Sequence, residues 1–96
     1  MAINVTLATF TDQGIRSIKD SPKRAQAFRD LAKKNGVTVR EILWTLGTYD
    51  MVVITEGSEE AMAATMLTIG KLGNVRTTSL RAMDAETFQR VLEKVT

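Results

Sequence analysis

Residues 37–56 read VTVREILWTL, then GTYD, then MVVITE. Two runs rich in β-branched residues, Val37 to Leu46 and Met51 to Glu56, are held apart by Gly47, Thr48, Tyr49 and Asp50. Runs of this kind around a short link containing Gly and Asp form an antiparallel hairpin. Upstream, Ile3, Val5 and Leu7 alternate with Asn4, Thr6 and Ala8, the period-two pattern of a half-buried strand. Downstream, Asn74 to Met83 reads as a fourth strand.

Helical segments fill the gaps between these strands. Thr11 and Asp12 cap a short one. Ser21-Pro22 reads as an N-cap followed by proline at the first helical position. It opens a longer helix whose Ala25, Phe28, Leu31 and Ala32 recur at helical spacing up to the stop Asn35-Gly36. A second long helix starts at Ser58, with Glu59 and Glu60 at the positive end of its dipole, and ends at Gly73. Asp84 caps a last one, in which Phe88, Val91, Leu92 and Val95 follow the helical period. The order βαββαβ plus a C-terminal helix predicts a single α+β domain over residues 1–96. Its architecture is the ferredoxin-like four-stranded antiparallel sheet with both crossover helices on one face.

Ninety-six residues fit one domain with a core of its own, and 44% are hydrophobic and 25% charged. The chain has no cysteine and no histidine. That excludes a disulfide framework, a thiol nucleophile, an imidazole base and the usual zinc sites. Thirteen Lys and Arg face eleven Asp and Glu in alternation along the chain, giving +2 with no basic block, so no nucleic-acid partner is expected. With no apolar run long enough for a membrane span and no leader-like start, the expected location is the cytoplasm.

Alternation assigns Ile3, Val5 and Leu7 to the helices and leaves Asn4, Thr6, Ala8 and Phe10 on the open face of the sheet. In the fourth strand, Val75, Thr77, Ser79 and Arg81 share one side and Arg76, Thr78, Leu80 and Ala82 the other. Which of them meets the helices stays open. In the hairpin, Trp44 shares a side with Ile42 and Leu46, opposite Glu41 and Leu43. An open face carrying large apolar residues is a poor water surface, and a homodimer packed sheet to sheet is expected to cover it.

Few residues are left to carry chemistry. Tyr49 and Asp50 offer adjacent titrating groups for acid-base catalysis, although a turn Asp more commonly caps backbone amides and a turn Tyr packs its ring. Gly47 serves the turn. Arg76 and Arg81 are candidates to clamp a carboxylate or other small anion; the alternative is an ion pair with Asp50, Glu41 or Glu56. Trp44 is a candidate pocket wall. Met62, Met66 and Met83 read as core fillers, the Lys23, Arg24, Arg29, Lys33 and Lys34 series as a solvated helix face, and Glu56, Glu59 and Glu60 as a capping group in place of a metal site. No cofactor is expected.

Gly47-Thr48-Tyr49-Asp50 and Gly73-Asn74-Val75-Arg76-Thr77, together with Gly14, Ile18 to Pro22, Arg24 and Leu80 to Ala82, resemble the GYD domain family over nearly the whole chain. The resemblance implies a ferredoxin-like protomer of the dimeric α+β barrel type, in small bacterial proteins without an established activity. Asn74, in the second motif, joins Arg76, Arg81, Trp44 and Tyr49 as a ligand-contacting candidate. The expected function is a homodimeric module that binds a small organic ligand, anionic ones included, or a partner. The alternative is a cofactor-independent enzyme, monooxygenase- or isomerase-like.

Overall fold

The hairpin read from residues 37–56 is present at one side of a four-stranded antiparallel sheet. In the computed structural model, which describes residues 2–96, the elements are β1 (Ala2–Phe10), α1 (Asp12–Arg16), a 3-10 turn (Ile18–Asp20), α2 (Ser21–Lys34), β2 (Thr38–Trp44), β3 (Met51–Gly57), α3 (Glu59–Lys71), β4 (Val75–Ala82) and α4 (Ala85–Leu92). The strand order is β2-β3-β1-β4, with every neighbouring pair antiparallel. This is the ferredoxin-like arrangement.

β2 stops at Trp44, two residues before the expected end, because the link closes on itself. The Thr45 amide donates to the Asp50 carbonyl at 2.8 Å, and the Thr45 hydroxyl donates to the Tyr49 carbonyl at 2.6 Å. Gly47 takes a φ of 152° there, which a side chain would resist. At the other end of the pair the register shifts between Val39 and Glu41, so Arg40 is the extra residue of a bulge. α2 starts one residue earlier than expected. Asp20 occupies the N-cap position and Ser21 is already helical, which frees the Ser21 hydroxyl for another partner.

The faces of the sheet are the reverse of the sequence expectation. Thr6 stands opposite Val53 and Ser79, and Ala8 opposite Met51 and Thr77. Residues directly opposite in an antiparallel pair share a face, and Thr6, Ala8, Met51, Val53 and Thr55 are all buried under the helices. Ile3, Val5 and Leu7 therefore point outward, with Val52, Ile54 and Leu43, and Leu80 joins them from β4, where Val75, Thr77, Ser79 and Arg81 form the helix side. The larger aliphatic residues of β1 were assigned to the chain's own helices because that is the usual place for them. Here the smaller residues lie inside, and the space they leave is not filled.

One tightly packed cluster lies at one end of this layer. Ala32, Val37 and Met62 are buried together, with Ala2, Val39 and Ala61 packed around them. Buried hydroxyls in this layer are all paired. Thr55 donates to the Met62 sulfur at 3.4 Å, Thr65 donates to the Ala61 carbonyl at 2.8 Å, and Thr6 and Ser79 share a 2.9 Å bond. Among the described residues no buried side-chain polar atom lacks a partner, as a low-dielectric interior requires.

α3 and α4 begin with side-chain caps: the Ala61 amide donates to Ser58 Oγ at 3.1 Å, and the Thr87 amide to Asp84 Oδ1 at 2.8 Å. The Thr87 bonds, with smaller help from the charges of Arg90 and Arg40, hold the Asp84 carboxyl below its ordinary 3.8. A carboxylate depressed in this way stabilises the helix start above the unfolded pKa, and that contribution disappears as pH falls through the folded value. In an NMR titration the Asp84 carboxyl and the Thr87 amide should move together with a midpoint below 3.8; a midpoint at or above it would contradict the cap. No helix among the described residues is long and apolar enough to cross a membrane.

Candidate functional site

Opposite the packed end, α2 and α3 stand off the sheet and leave a cavity of about 240 Å³. Its floor is Thr6, Ala8, Phe10, Met51 and Val53 on the central strands. Its roof is Ala25, Phe28 and Leu31 of α2 with Met66 and Ile69 of α3 and Leu72 at that helix's C-cap. The cavity exists because the floor is built from small residues: alanine at position 8 and threonine at position 6 sit where β1 passes beneath the helices. Ser21, Arg24, Asn74 and Thr77 are the polar residues of its lining apart from Thr6. The walls are otherwise aliphatic or aromatic.

Three sets of bonds hold the rim. The Trp44 indole N–H donates to Ser21 Oγ at 2.9 Å, tying the end of β2 to the start of α2. The Arg24 guanidinium donates to the Ser17 carbonyl at 2.9 Å and the Gly14 carbonyl at 3.2 Å, bracing α2 against α1. α1 in turn is locked onto the turn that follows α3. The Thr11 amide donates to the Asn74 carbonyl at 3.0 Å, the Thr11 hydroxyl to the Gly73 carbonyl at 2.5 Å, and the Gln13 amide group to both the Leu72 carbonyl and Asn74 Oδ1 at 3.0 Å. Gly73 makes that turn possible with a φ of 85°.

The residues singled out from the sequence fall in different places. Asn74 lines the cavity. Trp44 does not, but it anchors Ser21, which does. Tyr49 lies half exposed in the hairpin link, away from the cavity lining. Asp50 is structural in its contacts: its carboxylate accepts the Phe10 amide at 2.8 Å and its own amide donates to the Ala8 carbonyl at 2.8 Å. It thereby extends the β1–β3 ladder past Met51. Arg76 stands opposite Thr9, on the sheet face away from the helices. Arg81, on the helix side, pairs with Glu59 at the start of α3, not with Asp50, Glu41 or Glu56. The two arginines thus occupy opposite faces and do not converge.

Sequence reasoning missed the residues that shape the cavity. Alternation alone puts Thr6 and Ala8 on the wrong face, and helical spacing marks Ala25 and Phe28 only as a stripe. The available signal was the small-residue parity of β1 beneath an alanine-rich stripe in α2, which together imply a gap. Among the described residues no cluster of three or more acidic side chains is placed to hold a metal ion.

The comparisons agree with this architecture. A family model described as GYD domain matches residues 5–92. No curated protein matches the chain. Among solved structures, a homoserine dehydrogenase from Thiobacillus denitrificans is similar with a TM-score of 0.56 and 14% identity, over 86% of this chain and 17% of that one. An unknown protein from Galdieria sulphuraria is similar with a TM-score of 0.52 and 13% identity, over 88% of this chain and 46% of that one. The chain spans less than half the length of either, and at such identity the likeness is one of fold.

Proposed function

This chain belongs to the GYD domain family, and from that premise and the cavity under α2 and α3 we propose a homodimeric binding module for a small, largely apolar molecule. The observation that carries the reading is the cavity itself, about 240 Å³ walled by Ala8, Ala25, Phe28, Met51, Val53 and Met66. A buried apolar cavity of roughly 150 Å³ is enough to stay dry and take up benzene. The larger space here suits a one- or two-ring molecule. Ser21, Asn74 and Thr77 at the rim can orient one polar substituent, the usual division of labour in such sites.

An anionic ligand, expected from the arginines, is less well served. Arg24 is the sole ionisable residue in the cavity lining among the described residues, and its guanidinium is committed to the Ser17 and Gly14 carbonyls. Arg76 and Arg81 lie elsewhere. The enzymatic alternative is disfavoured on the same ground, since Tyr49 and Asp50 do not line the cavity.

The homodimer in this reading is supported by the open face of the sheet. Val5, Leu7, Leu43, Val52, Ile54 and Leu80 form one apolar surface there, and a patch of this kind marks an interface. A second copy presents the same surface and suits it by twofold symmetry. The proposal takes the dimer to be a bacterial cytoplasmic protein.

Thermal unfolding with naphthalene, indole and benzoate as probes tests the site. A neutral probe at about a hundred times its Kd adds about 2.7 kcal/mol, worth roughly 10 °C or more for a domain this size. Ala25→Leu, which fills the cavity from α2, should abolish the rise. No rise with either neutral probe, or a rise that survives Ala25→Leu, would overturn the assignment.

A further inference from the structure

α4 is an amphipathic helix with nothing under its apolar side. Phe88, Val91 and Leu92 recur at i, i+3 and i+4, Val95 follows just past the end of the helix, and all four are at least 41% exposed. The helix buries no residue and makes no substantial packing with any other element of the chain. An eight-residue helix is marginal alone in water, so an apolar stripe of this length calls for a surface to lie on.

The same chain leaves one other apolar surface uncovered, the open face of the sheet. The two are joined by a short link. Only Met83 and Asp84 separate α4 from the edge strand β4, and Leu80 of β4 and Met83 are each about half exposed.

We propose that α4 is an intersubunit clasp, its Phe88-Val91-Leu92 stripe, with Val95 just beyond it, packing on the outer part of the open sheet face of a second copy. This rests on the homodimer reading above. Strands of about eight residues at about 3.3 Å, four of them about 4.8 Å apart, give a face of roughly 500 Å² per protomer. A standard specific interface covers about 800 Å² per partner. Twisted sheets packed face to face splay at their corners, and a helix from each copy fills that margin and brings the total towards the standard size. Charge argues against a lipid surface as the occupant: from Asp84 onward the segment carries three acidic residues and two basic ones, whereas membrane-binding helices are rich in Lys and Arg.

The test uses the full chain. Sedimentation equilibrium should show a wild-type dimer, and Phe88→Ala with Val91→Asp should weaken it at least about a hundred-fold while far-UV circular dichroism and the naphthalene-induced thermal shift persist. In a mixed dimer of isotope-labelled and unlabelled copies, filtered NOEs should connect Val91 and Leu92 of one protomer to the partner's open-face methyl groups. A dimer unaffected by the double substitution, or NOEs from α4 confined to its own chain, overturns the clasp and leaves the dimer standing. A monomeric wild type removes both. A monomer that co-sediments with phosphatidylcholine–phosphatidylserine vesicles through Phe88 replaces the second copy with a membrane.

Discussion

Gly14→Ala is expected to destabilise the protomer by about 3 kcal/mol or more, a large part of the 5–15 kcal/mol typical of a domain. On propensity alone the change should help, since alanine is favoured over glycine in a helix by up to about 1 kcal/mol. The surroundings decide otherwise. A Cβ on Gly14 would lie 2.0 Å from the Asn74 carbonyl oxygen, a backbone atom. That carbonyl accepts the Thr11 amide, and the adjacent Gly73 carbonyl accepts the Thr11 hydroxyl. For alanine to fit, α1 must move by more than an ångström and lose these bonds with those of Gln13, each worth about 1 kcal/mol net. The melting temperature should fall by roughly 10 °C or more. An unchanged or raised one would mean that α1 is not locked to this turn.

Val52→Lys should separate the proposed dimer. Val52 sits on the central strand β3, opposite both Leu7 and Leu43, in the apolar part of the open face. Under twofold symmetry each substitution places two ammonium groups in the covered region, and an unpaired charge buried at an interface costs several kcal/mol. A loss of about 3 kcal/mol is already over a hundred-fold in Kd. The protomer should keep most of its stability, because Val52 points away from the helices. Light scattering at micromolar concentration reads the result; a variant that stays dimeric would remove the sheet face as the interface.

The fold was legible because hairpin, caps and helix stops are local. Residues 47–50, Ser58, Gly73 and Asp84 each act within a few positions, and each is found at its expected place. The faces were not legible for a physical reason. Period two in β1 says that residues 3, 5 and 7 share a side but not which side the helices cover, and a sheet with apolar residues on both faces leaves either choice open. The cavity was hidden for the same reason, being made by what Thr6 and Ala8 lack. The partner of Arg81 was not legible because it is distant in the chain: Asp50, Glu41 and Glu56 were the candidates for an ion pair, and Glu59, on a helix 22 positions away, makes it.

Whether a small apolar ligand is held between sheet and helices is read out residue by residue by NMR with naphthalene as the probe. Binding there should give saturable shifts confined to Ala8, Ala25, Phe28, Met51, Val53 and Met66. Shifts that map instead to Leu43, Val52 and Leu80 on the open face, or none at saturation, would contradict it.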